Sequence, residues 1–274
     1  MYREYGDRMN MGNLIIIGGA EDKTGESKIL KAFISIAGEA ASKLTIITTA
    51  TEKPLEAGNQ YKAVFARLGA MDTNILDINS RDDADLEKNT SLISKSTGIF
   101  FTGGDQLRIT SILGGTRVCS ALQDAYGVGA VIAGTSAGAS AMSRTMIVDG
   151  NDNDPARKCT LKMAPGLGLL DVALIDQHFH QRGRIGRLLC GVAENPSILG
   201  IGIDEDTAIH VFPDAHFEVI GSNSVTVVDG RHIKSSNVSE LMPDENLAIA
   251  NITLHVLPAG YGYNMKSREV IRLH

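Results

Sequence analysis

A serine stands between two glycines in the segment AGTSAGASAM, residues 133–142. Gly134-x-Ser136-x-Gly138 is the spacing of a nucleophile elbow, a sharp turn from strand to helix at which side chains two positions before and after the nucleophile would collide. Such a turn presents the hydroxyl at a helix N-terminus, where free N–H groups favour developing negative charge. The sequence therefore predicts a nucleophilic Ser136, with the amide of Ala137 as an oxyanion donor. The alternative is a serine that only caps the helix.

A serine nucleophile needs a general base and an acidic group that orients the base. Two histidines, His178 and His180, follow an apolar run, and in a strand both side chains would point the same way. Three acids, Asp204, Glu205 and Asp206, follow the apolar segment LGIGI, and the spacing does not decide among them. The order serine, histidine, acid differs from the order serine, acid, histidine of the α/β-hydrolases, so an ordinary lipase or esterase is disfavoured.

Other interpretations of the histidines and acids remain open at this point. A His-x-His pair near carboxylates can bind zinc, but no third ligand stands at local spacing, so neither a metal nor another cofactor is expected. His178 could instead be a buried structural histidine. The three acids could lie in a solvated loop.

Two more glycine-rich segments follow predicted strands. The first, IIIGGAEDK at 15–23, lacks the lysine of a phosphate-binding loop, and its acids Glu21 and Asp22 would repel phosphate, so no nucleotide site is expected. The second, TGGDQLR, ends a strand and begins a helix. A backbone N–H at Gly104 or Asp105 could complete an oxyanion hole beside the serine, although a plain tight turn is the alternative.

Three arginines follow the histidines in HQRGRIGRLL. Arg184 and Arg187 are three residues apart and would share one helix face, with Arg182 just before them. Guanidinium groups beside a catalytic histidine would suit the recognition of substrate carboxylates through paired hydrogen bonds. A solvated basic helix end is the alternative.

The elements that would position these residues alternate along the chain. Short apolar, β-branched runs predict strands at 13–19, 43–50, 73–78, 98–104 and 130–135. Helical periodicity predicts helices at 26–40, 54–70, 83–96 and 105–126, the last broken at Gly114-Gly115. Strands that are apolar on both sides and separated by single helices indicate a parallel, doubly wound α/β sheet. Ligands bind such a sheet at the carboxyl ends of its strands, where the serine, the histidines and the acids all fall.

The pattern changes beyond about residue 200. The segments AIHVF, HFEVI, SVTVVDG, ITLHVLPAGYGY and REVIRLH are typical of hairpins, so we expect a C-terminal antiparallel β extension. We interpret residues 13–274 as one α/β domain, preceded by an N-terminal extension at 1–12.

Composition narrows the class of protein. Of the 274 residues, 43% are hydrophobic and 21% charged, and the net charge of −6 argues against a nucleic-acid partner. No apolar run reaches the ~20 residues of a membrane span, and the N-terminus lacks the apolar core of a signal peptide, so we expect a cytoplasmic protein with no membrane partner. The cysteines are odd in number and lack CxxC spacing, which predicts reduced thiols at Cys119, Cys159 and Cys190.

Five segments together resemble the cyanophycinase family, which is related to the aspartyl dipeptidases of the peptidase E group. They span residues 15–208 and read IIIGGAEDK, TGGDQLR, AGTSAGASAM, DQHFHQRGRIGRLL and LGIGIDEDTA. The motif GTSAGA alone would also fit the dipeptidases, whereas TGGDQLR and DQHFHQRGRIGRLL favour the cyanophycinases. The resemblance implies a fold similar to class I glutamine amidotransferases, with a flavodoxin-like, mostly parallel sheet, and a homodimer.

The resemblance also implies an activity. Its members are serine-type exopeptidases that degrade cyanophycin, a poly-aspartate backbone with arginine on each β-carboxyl, to β-Asp-Arg dipeptides. Carried over residue by residue, it implies Ser136 as nucleophile, His178 as base and Glu205 as orienting acid. It further implies a substrate pocket lined by Gln106, Asp176, Gln177, Arg182, Arg184 and Arg187.

One departure and two rival functions stay open. The loop DGNDNDPARKC, residues 149–159, is more acidic than the family pattern, and it keeps Asp149, Asp152 and Asp154 as rival candidates for the triad acid. A related serine dipeptidase that acts on short Asp-containing peptides is the first rival function. A catalytically silent binding protein for arginine-bearing peptides is the second.

Overall fold

The computed structural model describes residues 11–158 and 161–273, and in the first half of the chain strands alternate with helices. The strands are β1 (Leu14–Ile17), β2 (Lys43–Ile47), β3 (Asp72–Leu76), β4 (Gly98–Phe101) and β5 (Val131–Thr135). The helices are α1 (Lys28–Ile36), α2 (Pro54–Arg67), α3 (Arg81–Ala84), α4 (Glu87–Lys95), α5 (Gln106–Leu113) and α6 (Arg117–Gly127), and a 3-10 turn, Glu39–Ala41, follows α1. All five predicted strands are confirmed.

The second half is mostly β structure. It begins with α7 (Ala137–Ala141), β6 (Thr145–Gly150), β7 (Leu161–Pro165), β8 (Ala173–Gln177), α8 (Ile185–Glu194) and β9 (Leu199–Ile203). It continues with β10 (Thr207–Val211), β11 (His216–Gly221), β12 (Ser224–Asp229), β13 (Ser235–Ser236), β14 (Ile249–Ala250), β15 (Thr253–Pro258), β16 (Tyr261–Asn264) and β17 (Glu269–Arg272). The predicted antiparallel extension is therefore confirmed.

A nine-stranded sheet in the order β17-β16-β11-β10-β1-β5-β4-β2-β3 forms the centre of the fold. Neighbours from β1 to β3 are parallel, and neighbours from β17 to β1 are antiparallel. Helices α1 and α2 pack on one face of the parallel strands, and α4, α5 and α6 pack on the other. Because both faces are covered, the central parallel strands β1, β4 and β5 are buried along their whole length, which is the pattern from which the doubly wound α/β fold was predicted.

Two helical predictions have different outcomes. The expected break at Gly114-Gly115 is confirmed, since α5 ends at Leu113 and α6 begins at Arg117. The single helix predicted at 83–96 is wrong, because Leu86 takes an extended conformation that separates α3 from α4.

A second sheet of four strands, in the order β15-β12-β9-β8, carries the histidine and acid segments. Strands β8 and β9 are parallel, and the other pairs are antiparallel. Helix α8 packs on this sheet through Leu188 and Val192. The serine thus belongs to one sheet, and its predicted partners belong to another. The physical reason is that β10 already occupies the free edge of β1, so β8 and β9 pair elsewhere.

Two sequence predictions fall partly outside the described residues, namely residues 1–10 of the expected N-terminal extension and Cys159. Cys119 and Cys190 are buried and form no disulfide with each other. Within 11–158 and 161–273, no helix is long and apolar enough to cross a bilayer.

Candidate active site

Ser136 occupies a strained turn between β5 and α7. Its backbone has φ 52° and ψ −111°, values that a residue with a side chain seldom adopts and that the surrounding structure must enforce. The flanking glycines leave no room for a side chain. A Cβ on Gly134 would lie 2.6 Å from the carbonyl oxygen of Gly138, and one on Gly138 would lie 2.7 Å from Phe101. The steric conflict expected from this spacing is therefore observed.

The structure brings Ser136, His178 and Glu205 into one hydrogen-bonded chain. The hydroxyl oxygen of Ser136 is 2.9 Å from Nε2 of His178, and Nδ1 of His178 is 2.7 Å from Oε1 of Glu205. Because a carboxylate can only accept, Nδ1 carries the proton and Nε2 is left to accept the serine hydroxyl. This is the arrangement that a serine nucleophile and its base require.

Burial sets the charge state of the base. Desolvation lowers the pKa of His178 below its ordinary value, the hydrogen bond to Glu205 opposes that shift, and the positive charge of Arg182 adds to it. The His178 side chain is 11% exposed, so burial is the larger influence. A lowered pKa keeps the imidazole neutral near pH 7, as a general base must be.

The two histidines do not share a strand face as expected. Strand β8 ends at Gln177, and His178 has φ 48°, so the chain has already turned away when it reaches the histidines. The amide of His178 donates to the carbonyl of Gly18 at 2.8 Å, which fixes this turn against β1. His180 is exposed, and its amide donates to Asp204.

Parallel pairing brings the acid to the histidine. Gln177 and Ile203, the last residues of β8 and β9, are paired in register, so the residues that follow them emerge side by side. Asp204 accepts from the amide of His180 and from the Ser224 hydroxyl, and so it points away from the imidazole. Glu205, one residue later, reaches His178.

The remaining candidate acids have other partners. Asp206 accepts hydrogen bonds from the Asp22 amide and the Ser222 hydroxyl. In the acidic loop, Asp149 faces Lys162, Asp152 accepts from Arg184, and Asp154 accepts from Asn151. Among the described residues, Glu205 is the carboxylate in contact with the His178 ring.

The second glycine-rich turn lies beside the serine, and the amide of one of its two expected donors, Asp105, has another partner. The amide of Asp105 donates to the carbonyl of Ala50 at 2.9 Å, so it is not an oxyanion donor. Gly104 packs on the same carbonyl, and a Cβ there would lie 2.1 Å from it. Gly103 is the residue next to Ser136, because a Cβ on it would lie 3.5 Å from the Ser136 Cβ.

Arg187 forms a buried ion pair with Asp176. Its Nε and one terminal nitrogen contact the two carboxylate oxygens of Asp176 at 2.7 and 2.5 Å, and Asp176 is fully buried. A third hydrogen bond runs to the carbonyl of Gly150 at 3.0 Å. This guanidinium is already matched within the chain, contrary to the expectation that it would be available to a substrate carboxylate.

Arg184 connects the acidic loop to the serine. Its Nε donates to Asp152 at 2.7 Å, and a terminal nitrogen donates to the backbone and side-chain oxygens of Gln177 at 2.6 and 3.2 Å. The side-chain oxygen of Gln177 is in turn 3.4 Å from the hydroxyl of Ser136. Burial lowers the pKa of Arg184. Arg184 therefore orients Gln177 instead of presenting a free charge.

Gln106 and Arg182 complete the set implied for the pocket. The amide of Gln106 donates to the backbone carbonyls of Ile147 and Val148, which ties α5 to β6. Arg182 is exposed, and its charge acts on His178. Of the three arginines, Arg182 is the one whose side chain faces solvent.

The sequence patterns predicted no site residue in the β1–α1 segment, which was considered as a nucleotide loop and as one of the segments that resemble the family. A Cβ on Gly19 would lie 2.3 Å from Cε1 of His178, so only glycine lets the imidazole take its position. Glu21 is buried and contacts Thr135, the residue before the nucleophile. Two adjacent glycines followed by an acid directly after a strand were the available signal.

The described part of the chain holds no cluster of three or more histidine, cysteine, aspartate or glutamate side chains suited to a metal ion.

Comparison with known proteins gives a consistent set of matches. Residues 14–219 match peptidase family S51. A cyanophycinase of Geminocystis herdmanii is 37% identical over 258 residues, which cover 94% of this chain and 95% of the relative. A cyanophycinase of Trichormus variabilis is 38% identical over 259 residues, which cover 94% and 87%. The crystal structure of a peptidase from an acI-B1 Actinobacterium has the same fold, with a TM-score of 0.65, 21% identity, and coverage of 96% of this chain and 97% of that one.

Proposed function

The chain belongs to peptidase family S51 and is a peptidase, and on that premise we propose that it is a serine-type exopeptidase that hydrolyses cyanophycin to β-Asp-Arg dipeptides. One observation carries the mechanism: Ser136, His178 and Glu205 form an unbroken hydrogen-bonded chain. The substrate is supported by the relatives, which are named cyanophycinases and align over nearly the whole chain.

In the proposed first half-reaction, Oγ of Ser136 attacks the carbonyl carbon of a backbone amide and His178 Nε2 takes the hydroxyl proton. The tetrahedral intermediate then collapses, the C–N bond breaks, and the same proton passes from Nε2 to the leaving amine. The product is an ester between Ser136 and the acyl part of the substrate. In the second half-reaction water attacks this ester, His178 takes a proton from the water and returns it to Ser136, and the carboxylic acid is released.

Glu205 supports both proton transfers. Its carboxylate accepts a hydrogen bond from Nδ1–H of His178, which fixes the tautomer in which Nε2 accepts the hydroxyl proton. It also stabilises the imidazolium that forms in each half-reaction. The oxyanion would be bound by the amide of Ala137, which lies in the first turn of α7 where N–H groups have no intrahelical acceptor. The second donor would come from the Gly103-Gly104 turn, and proximity to Ser136 favours Gly103 over Gly104.

The charges around the serine suit a substrate that carries both a guanidinium and a carboxylate. Arg182 is exposed beside the base and can pair with a substrate carboxylate. Asp149 and Asp154 lie on the loop that Arg184 anchors next to Gln177 through Asp152, and they can attract a substrate arginine. In this proposal the buried side chains of Arg184, Arg187 and Asp176 support the pocket without contacting the substrate. Arg182, Asp149 and Asp154 contact the substrate.

The decisive experiment is turnover of isolated cyanophycin granules by the purified protein, with EDTA present because no proposed step uses a metal. We expect release of β-Asp-Arg and no cleavage of casein, whose side chains lack the paired charges. Ready cleavage of α-linked Asp dipeptides with intact cyanophycin would replace the proposal with an aspartyl dipeptidase. Binding of cyanophycin without turnover would instead support a silent binding protein.

A homodimer and a cytoplasmic location complete the proposal. Sedimentation equilibrium of the purified chain tests the first, with a mass of twice 29.2 kDa as the expected result. Fractionation of the source cells tests the second.

A further inference from the structure

A buried carboxylate lies directly behind the nucleophile, in the segment that joins β1 to α1. We propose that Glu21 is a positioning residue that holds the Ser136 turn in its reactive geometry through the hydroxyl of Thr135. The inference rests on the proposed function, because it assumes that Ser136 is the nucleophile. It assigns a role to a side chain that touches neither the substrate nor the base.

Both oxygens of the Glu21 carboxylate are engaged, and one of them reaches the turn. Oε2 accepts from the hydroxyl of Thr135 at 2.6 Å. Oε1 accepts from the hydroxyl of Tyr61 at 2.5 Å and lies 2.9 Å from the ammonium nitrogen of Lys23. Glu21 is 3% exposed and Thr135 is 3% exposed, so water cannot readily replace these contacts.

The Ser136 turn needs such a restraint. Backbone conformations of this kind cost on the order of 1–3 kcal/mol and persist only where neighbouring groups enforce them. Helix α7 has five residues, so few hydrogen bonds within the helix hold the turn. The amide of Ser136 is held by the carbonyl of Ile17 at 3.0 Å, and the residue before it is held by Glu21. Both anchors come from β1 and the segment that follows it.

The same segment also sets the position of the base and the acid. The carbonyl of Gly18 accepts from the amide of His178, and the carbonyl of Gly19 accepts from the amide of Asp206, next to Glu205. Residues 18–21 therefore contact all three arms of the catalytic chain. The contacts from Gly18 and Gly19 use backbone carbonyls, whereas Glu21 contacts Thr135 through its side chain. The Glu21 contact can therefore be tested by substitution.

Tyr61 acts in this network as a fixed donor. Burial and the neighbouring Glu21 charge raise the pKa of Tyr61 well above its ordinary value, so its hydroxyl keeps its proton. The Lys23 nitrogen lies 4.9 Å from the centre of the Tyr61 ring and close to the carboxylate. Donors on two sides thus keep the Glu21 carboxylate in place, with Oε2 directed at Thr135.

A matched pair of variants at Thr135 tests the link without removing the carboxylate. Thr135→Val keeps the shape of the side chain and loses the hydroxyl, whereas Thr135→Ser keeps the hydroxyl and loses a methyl group. We expect Thr135→Val to lower kcat for cyanophycin by about 10–100-fold with KM nearly unchanged, because small displacements of a reacting group cost about that much. Thr135→Ser should restore most of the rate. Glu21→Gln, which loses the ion pair and one acceptor, should resemble Thr135→Val.

The second measurement is the rate at which a fluorophosphonate reagent labels Ser136, followed by mass spectrometry. This rate reports on the nucleophile alone and does not depend on the identity of the substrate. We expect it to fall in Thr135→Val and Glu21→Gln in parallel with kcat. Asp229→Asn is the control, since Asp229 is equally buried, bonded to Arg231 and Arg268, and lies at the far end of the second sheet, paired with Leu199. It should lower thermal stability and leave labelling unchanged.

The outcomes separate the two proposals. If the wild type is labelled and folded Thr135→Val is labelled at the same rate, the positioning role of Glu21 is wrong and the serine mechanism stands. If the wild type is labelled, the variants are slowed and cyanophycin stays intact, the positioning role stands and the proposed substrate is wrong. If Ser136 in the wild type is never labelled, the nucleophile is wrong and the positioning role is overturned with it.

Discussion

Ser136 follows the central parallel strand β5 of the nine-stranded sheet, whereas His178 and Glu205 follow β8 and β9 of the four-stranded sheet. The serine side is marked in the sequence by two nearby glycines that flank one strained residue, and Ile17 and Glu21 hold the turn. The histidine and acid side is defined over long distances, by the register of two parallel strands and by hydrogen bonds to the β1–α1 segment. The difference teaches that a short glycine pattern can reveal a strained serine in the sequence, whereas the contact of that serine with a histidine and a glutamate depends on tertiary structure.

The two sides also differ in their buried charges. Behind the serine, Glu21 meets hydroxyl donors and one lysine. Behind the histidine, Asp176 meets the guanidinium of Arg187 in a fully desolvated pair. Substitutions near Ser136 should therefore lower mainly the reaction rate. Substitutions near His178 should lower the reaction rate or the stability of the fold.

Ser136→Ala should have the largest effect on activity of the variants considered. We expect kcat to fall by about 10⁶-fold, as typically follows from the loss of a triad nucleophile. The thermal unfolding temperature should barely change, because alanine fits a turn already lined by alanine and glycine. Turnover of cyanophycin and circular dichroism melts measure the two effects. Activity within about tenfold of the wild type would contradict the serine mechanism.

The histidine side is tested by comparing two neighbouring residues. His178→Ala should cost nearly as much as the loss of the serine, about 10⁵–10⁶-fold in kcat, because no other base reaches Ser136 within the described structure. His180→Ala should cost less than about threefold, since His180 is exposed and the Ser136 hydroxyl contacts His178. Steady-state kinetics on cyanophycin measure both. A larger loss for His180→Ala would mean that the turn after β8 is wrongly placed.

Substitution of Glu205 should lower kcat less than substitution of His178. Glu205→Gln should lower kcat by about 10²–10⁴-fold, because an amide cannot stabilise the imidazolium and favours the wrong tautomer. Asp154→Asn is the comparison on the acidic loop, where the carboxylate accepts a hydrogen bond from Asn151; it should leave kcat nearly unchanged and act, if at all, on KM. The same kinetic assay applies. A loss in Asp154→Asn without one in Glu205→Gln would move the triad acid to that loop.

The stability of variants distinguishes the buried Arg187 from the exposed Arg182. Arg187→Met should lower the free energy of unfolding by about 3–5 kcal/mol, because it removes both hydrogen bonds to the buried Asp176 and leaves that carboxylate only the more distant Arg184, 3.6 Å away. Arg182→Met changes an exposed residue and should have little effect on urea unfolding. Unchanged stability in Arg187→Met together with a raised KM would restore the sequence interpretation that Arg187 binds the substrate.

The smallest expected effect is a shift in pH dependence. The charge of Arg182 disfavours protonation of the imidazole, so Arg182→Met should raise the pKa of His178. Activity requires the neutral imidazole, and kcat/KM should therefore rise with pH through the His178 pKa. The acidic limb of the profile should lie at higher pH in Arg182→Met than in the wild type. A limb that moves to lower pH, or does not move, would contradict the influence of Arg182 on the base.

Much of the fold was predictable because its rules are local. Apolar runs of strand length, helices of regular period and the break at Gly114-Gly115 predicted the parallel half of the main sheet. The helix at 83–96 was missed in part because an extended Leu86 leaves no mark on the periodicity. The membership of β8 and β9 in a second sheet was also missed, since strand pairing depends on which edges other strands already occupy.

The sequence by itself determined the strained serine, because a steric conflict between neighbours in the chain is written in the neighbours themselves. It also limited the base to two histidines and the acid to a few carboxylates. Residue spacing did not distinguish Glu205 from Asp204 and Asp206, and only the family resemblance implied it. The tertiary structure brings Glu205 to His178, places Gly103 next to the serine, and pairs Arg187 with Asp176. These outcomes depend on distances between segments that are far apart in the chain, and such distances are fixed by strand register and by the burial of charge, which no short pattern of residues encodes.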